Sequence, residues 1–167
     1  MNNRISFYII FLMLAFYGFK HVYGQQMFEA FTHPTADLFQ RISIYSAPNV
    51  HYTEIDSDTE AGWIAQVYER KGNFFRIDIK DLSLNNVWVH CGDLGVNIQN
   101  YDSINIPLLS SMAKDKCDTT YINFSCTAIV YDYRDPFVFV RINVSDTPLY
   151  GWVEKKYLCG SPYTTCP

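Results

Sequence analysis

The chain has no Cys-x-x-Cys pair, no basic run longer than two residues and no glycine-rich loop that leads into a lysine and a helix. Each absence removes a class of function. Without closely paired cysteines, and with His33, His51 and His90 scattered along the chain, there is no zinc-ligand pattern. The stretch HCGDLGVN (90–97) holds two glycines but no lysine and no following helix, so it is not a phosphate loop. Nucleic acids and anionic membranes are bound mainly by Lys and Arg that neutralise phosphates. Here 13 basic residues stand against 17 acidic ones, a net charge of −4, which disfavours both partners. Helical patterning is scarce too. Only THPTADLFQRI (32–42) invites a turn or two, with Thr35 as the cap ahead of Leu38 and Phe39.

What the chain does have begins with an export pattern. Asn2, Asn3 and Arg4 precede an uncharged apolar run of 15 residues, Ile5 to Phe19, and Val22-Tyr23-Gly24 suits a cut after Gly24. A bilayer-spanning helix needs about 20 apolar residues, so the run reads as a removable signal over 1–24 rather than an anchor. The expected product is periplasmic or secreted, with no stable membrane insertion once the signal is gone. Its removal takes Arg4 and Lys20 and no acid, leaving 11 basic and 17 acidic residues and a net charge of −6. All five cysteines lie beyond it, in what would be an oxidising compartment. Counting leaves their connectivity open. Local spacing favours Cys159–Cys166 and Cys117–Cys126, each closing a short turn-rich loop, with Cys91 as the odd thiol.

The remainder reads as strands. AQVYER, FFRIDI, VWVH, TAIVYDY, FVFVRINV and YGWVEKKYL alternate with period two and are rich in aromatic and β-branched residues. An internal repeat follows. AQVYERKGNFFRIDIKDLSLNNVWVH (65–90) aligns with AIVYDYRDPFVFVRINVSDTPLYGWVE (128–154). Val67-Tyr68 lies over Val130-Tyr131. Phe74, Arg76 and Ile77 then lie over Phe139, Arg141 and Ile142, and Trp88-Val89 over Trp152-Val153, with the offset drifting from 63 to 65 residues. Upstream, ISIYSAPN (42–49) matches INIPLLSS (104–111) at offset 62. Alternation places Val67, Phe75, Ile77, Ile79 and Val89 on an inner face, with Tyr68, Phe74, Arg76 and Trp88 opposite. Val130, Val140, Ile142, Val144 and Val153 are the inner set of the second copy.

With these marks each copy resembles a bacterial SH3-like (SH3b) domain. The resemblance rests on the early IYSAPN strand and turn, the VYERKGNFFRIDI hairpin and the closing Trp-Val strand. More narrowly, VWVHCGDLGVNIQNYDSINIPLL, GWVEKKYLCG and the terminal CGSPYTTCP resemble the exported tandem SH3-domain proteins of Bacteroidetes. The resemblance covers residue 41 to the end. It implies an all-β fold of two small SH3-like barrels in tandem: a signal over 1–24, a leading segment over 25–40, repeat 1 over 41–100 and repeat 2 over 101–167. Cys159–Cys166 would then staple the tail of the second barrel.

No constellation for catalysis stands out. His90 and Cys91 are neighbours on a strand and point to opposite faces, which places them poorly as a nucleophile and base. Glu54, Asp56, Asp58 and Glu60 alternate within seven residues, but an EF-hand counted from Asp56 would need Gly and Glu where Ala61 and Val67 stand. Asn123 and Asn143 head formal N-glycosylation triplets, which matter only in a eukaryotic source. The expectation is therefore a non-enzymatic binding module without cofactor or metal. Tyr45, Trp63, Tyr68, Trp88, Tyr131 and Trp152 are the candidate residues of aromatic grooves on the two copies, for cell-wall peptide, peptidoglycan or an envelope protein. The alternative is an acidic interaction or inhibitor protein, docking a basic partner through the loop from Glu54 to Glu60.

Overall fold

The computed structural model describes residues 25–33, 41–56, 62–100, 104–113, 118–144 and 147–161. The expected signal (1–24) and the helical turns expected after Thr35 lie outside the described residues. Within them the chain is all-β. Its strands are β1 (Phe28–Thr32), β2 (Arg41–Ala47), β3 (Val50–Asp56), β4 (Ile64–Lys71), β5 (Phe74–Ile79), β6 (Leu84–His90), β7 (Leu94–Ile98), β8 (Ile106–Leu109), β9 (Thr119–Ile122), β10 (Cys126–Arg134), β11 (Phe137–Val144), β12 (Thr147–Glu154) and β13 (Leu158–Cys159). All thirteen join one antiparallel sheet in the order β3-β2-β6-β5-β4-β1-β7-β10-β11-β12-β8-β9, with β13 added to β7, and the two ends of that path do not meet. Among the described residues no helix is long and apolar enough to cross a membrane.

That strand order repeats itself about its centre. β4, β5 and β6 form a meander, and the hairpin β2–β3 joins it where Tyr45 lies opposite Trp88. β10, β11 and β12 form the second meander, and the hairpin β8–β9 joins it where Leu109 lies opposite Trp152. The first strand of each set pairs with the start of its meander: Ala30 with Ala65, and Val96 with Ala128. The next strand in sequence then pairs back on the first: Thr32 with Leu94, and Ile98 with Leu158. β7 thus serves twice, as the last strand of one unit and the first of the next.

The pairing corrects two alignments read from the sequence. Val67 faces Ile77 and Val130 faces Val140, so Ile77 corresponds to Val140, Phe74 to Phe137 and Arg76 to Phe139, an offset of 63 and not 65. Both hairpins turn through two residues, Gly72-Asn73 and Asp135-Pro136, so nothing is inserted between β4 and β5. Both also carry a bulge at the same place, between Val67 and Glu69 and between Val130 and Asp132. The two-residue slip was hard to see because it is one full strand period, which keeps every side chain on its proper face. Upstream, Tyr45 corresponds to Leu109, so Ile42 lies over Ile106 at offset 64 and not 62. β1 lies in the segment expected to precede the first unit, yet its pairing with β4 joins it to that unit.

The inner face is as expected. Val67, Phe75, Ile77, Ile79 and Val89 are fully buried, as are Val130, Val140, Ile142 and Val153, while Val144 is half-buried at a strand end. These residues and Leu94, Val96 and Ile98 of β7 belong to one continuous apolar core that spans both units. An alternating β-strand can reach that core with only every second side chain. What the other face carries therefore separates the two units.

Candidate recognition face

Of the six aromatic residues expected to line grooves on the two copies, Tyr45, Trp63, Tyr68 and Trp88 lie in the first unit and Tyr131 and Trp152 in the second. Tyr45 sits beside Trp88, edge-on to Phe74 (centroids 5.1 Å), His90 (5.1 Å) and His51 (5.8 Å). Trp63 is tied to the far end of the first unit: its backbone N–H donates to Thr32 Oγ1 at 2.8 Å and its Nε1–H to the Asp56 carbonyl at 3.1 Å. Tyr68 and Tyr131 occupy the two equivalent bulges, where an extra residue re-aims the side chain. The Tyr68 hydroxyl donates to Gln66 Oε1 at 2.9 Å. Tyr131 lies at the junction of the units, its ring 3.3 Å from where a Cβ on Gly92 would sit. Trp88 and Trp152, two of the expected groove residues, are each only 8% exposed.

Equivalent positions on the outer faces have diverged. In the first unit Arg76, Asp78 and Asn86 form a polar lattice. Arg76 Nη1 donates to Asn86 Oδ1 at 3.0 Å, and the Asn86 N–H donates to Asp78 Oδ1 at 2.6 Å. Arg76 Nε lies 3.1 Å from Glu69 Oε2, an ion pair by distance without hydrogen-bond alignment. In the second unit the same three positions hold Phe139, Arg141 and Tyr150. Phe139 is flanked by Tyr150 (6.5 Å, planes 24° apart) and Trp152 (5.2 Å), and the Arg134 guanidinium lies 5.4 Å over the Trp152 ring. Tyr150 is 51% exposed. Sequence reasoning missed Phe139, Tyr150, Arg134 and Arg141. The repeat aligned at its true offset would have found the contrast.

The charges of this face are also distinctive. Arg41, Arg70 and Arg76 each have a carboxylate partner, whereas Arg134 and Arg141 make no ion pair among the described residues. Arg141 is held by neutral acceptors, its Nε donating to Asn143 Oδ1 at 3.2 Å and its Nη1 to the Tyr131 hydroxyl at 3.5 Å. Burial and the nearby Arg141 guanidinium hold His33 below its ordinary value, so that imidazole adds no charge of its own near neutrality. Arg70 pairs with Asp132 at 2.9 Å, tying β4 to β10 across the junction.

The acidic loop is less available than its sequence implied. Glu54 and Asp56 lie on the edge strand β3 and both face Arg41, at 3.6 and 3.0 Å, while Asp58 and Glu60 lie outside the described residues. Among the described residues no three His, Cys, Asp or Glu side chains gather as a metal site.

The cysteines require a correction. Cys126 is a free thiol, so the expected Cys117–Cys126 bridge is not formed. Cys126 sits in β10 opposite Ile98, and there the ladder rather than a local loop sets its neighbours. Cys159 is disulfide-bonded. Cys117 and Cys166 lie outside the described residues. Cys91 is free, and burial pushes its thiol from an ordinary 9.0 up to about 11 against the opposing pull of Arg70. Burial likewise pushes Cys126 to about 11. Because the folded values are raised, the protonated thiols contribute stability that is intact below about pH 9 and lost as pH climbs towards about 11. We expect iodoacetamide at pH 8 to label both thiols at least ~10-fold more slowly in folded than in denatured protein, since only the thiolate reacts. Equal rates by mass spectrometry would refute that burial.

No protein-family model, no curated protein and no solved structure matches this chain.

Proposed function

We propose that this chain is an exported, non-catalytic binding module of two SH3-like units sharing β7, and that it recognises a cell-envelope ligand, cell-wall peptide or peptidoglycan, through the outer face of β10–β12. The repeated strand order supports the SH3-like reading: a first strand, an inserted hairpin, a three-stranded meander and a closing strand that returns to the first. A short 3-10 turn, Lys155–Tyr157, precedes the closing strand of the second unit. The apolar run from Ile5 to Phe19 supports export.

One observation carries the binding reading. The polar residues Arg76, Asp78 and Asn86 of the first unit are replaced, position for position, by the half-buried ring of Phe139, by Arg141 and by the exposed ring of Tyr150. Arg134 is nearby, and neither arginine has a carboxylate partner among the described residues. Sheet stability does not require such rings, because the inner face already supplies the core. The alternative, an acidic face docking a basic partner, is weakened by Arg41, which pairs with both Glu54 and Asp56 and offsets one of their two charges.

Co-sedimentation with purified peptidoglycan sacculi tests the proposal. Tyr150→Ala is expected to weaken saturable binding about tenfold, the cost of losing one stacking ring, while the thermal midpoint stays close to that of the parent. Retention of full binding in a Phe139→Ala, Tyr150→Ala double variant would remove this face from the function.

A further inference from the structure

We infer that the β10–β12 face takes a carboxylate-bearing saccharide, stacked on Tyr150 beside Phe139 and held by its carboxylates against Arg134 and Arg141. This rests on the reading of that face as the recognition surface and adds the chemistry of the ligand.

Backbone geometry removes strand addition as a way of binding a peptide. β11 is central, paired to β10 along one side and to β12 along its whole length on the other. Its N–H and C=O groups are consumed by those ladders, so an extended peptide cannot add there as another strand. Main-chain hydrogen bonding is what usually gives such peptides their affinity and register. Recognition over β11 therefore comes from side chains. A pyranose has an apolar C–H face that lies flat on an aromatic ring, whose face is electron-rich. Tyr150, 51% exposed and flanked by the half-buried Phe139 ring at 6.5 Å with planes 24° apart, offers a ring face of that kind.

The arginines supply the charge selection. A guanidinium matches a carboxylate through two parallel N–H···O bonds, and a preorganised one loses little freedom on binding. The Arg134 guanidinium carbon lies 5.4 Å from the Trp152 ring centroid, a cation–π contact that consumes none of its N–H donors. Arg141 is steadied by Asn143 and Tyr131, neither of which neutralises it. On a protein of net charge −4, two cations without carboxylate partners among the described residues, beside the exposed Tyr150 ring, are complementary to an anion. The other charges at hand are already paired: Asp132 with Arg70, Glu154 with Lys156, and Asp135 with Lys155.

Calorimetry on the mature chain would use four probes. Oligogalacturonate and alginate oligomers differ in stereochemistry but carry one carboxylate per ring. A neutral galactan oligomer of equal length lacks the charge, and poly-glutamate carries it on a peptide. The expected result is binding of at least one uronate, weakened by salt, at least ~10-fold weaker for the neutral oligomer, and reduced about 5–30-fold by either Arg134→Gln or Arg141→Gln. Arg76→Gln, on the first unit, should leave it unchanged. Failure of both uronates to bind overturns the inference. So does equal binding of the neutral oligomer, or uronate binding unaffected by the two arginine variants. Tighter, arginine-dependent binding of poly-glutamate overturns it in favour of an acidic peptide. In each case the recognition face stands if Tyr150→Ala still weakens sacculus binding, and it falls as well if that binding is unaffected.

Discussion

Val96→Asp should abolish the protected cores of both units at once. Val96 lies at the middle of β7, fully buried, between β10 on one side and the end of β1 on the other. Removing its side chain forfeits about 1.5–3 kcal/mol of burial, and an unpaired carboxylate in that site adds several more. The total is comparable with the roughly 5–15 kcal/mol that holds a typical domain together. The loss cannot be confined to one unit, because β7 completes the first and begins the second. Hydrogen exchange read on β5 and on β11 is expected to show both unprotected. The milder Val96→Ala should lower one shared unfolding transition by about 1–3 kcal/mol, the range for truncating a buried aliphatic side chain. Two separable transitions, or a β5 that stays protected in Val96→Asp, would mean that the units fold independently and that β7 couples nothing.

Gly62→Ala is the second large effect, and it acts through backbone rather than core. Gly62 has φ +75°, and a Cβ added there would lie 1.9 Å from the Thr32 carbonyl oxygen. The left-handed conformation strains any side-chain-bearing residue, and the clash is with main chain that no rotamer change can clear. The site also latches β1 to β4: the Thr32 N–H donates to the Trp63 carbonyl at 2.8 Å, and Thr32 Oγ1 accepts from the Trp63 N–H at 2.8 Å. We expect a loss on the order of 2–5 kcal/mol, combining strain and steric displacement. Denaturant unfolding measures it directly. By contrast, Gly72→Ala has an open site for its Cβ and should pay only for its φ of +59°. If the two variants were equally stable, the latch would have no energetic role.

The strand content and the inner faces were legible because period-two alternation is a local signal that burial enforces strongly. Val67, Phe75, Ile77, Ile79 and Val89 could be placed on one face without knowing their partners. The duplication was legible too, although its offset was not. Phe139 was matched to Phe74 because both are phenylalanines two positions before another recurring residue, and a slip of two leaves the hydrophobic pattern unchanged. Only the ladders and the paired bulges at Tyr68 and Tyr131 decide between 63 and 65. The candidate site depended on that decision, since the contrast of Arg76 with Phe139 vanishes in the wrong alignment.

By itself, then, the amino-acid order determined that this chain would make short alternating strands, bury one face of each and do so twice. Those outcomes follow from side-chain hydrophobicity and backbone geometry within a few residues. Tertiary structure alone decided that β7 belongs to both units, that Cys126 stays a thiol, that Trp88 and Trp152 are covered, and that Arg134 and Arg141 lack carboxylate partners among the described residues. Each of these depends on which strand lies alongside which, and pairing between residues far apart in sequence is set by the whole sheet rather than by any local run.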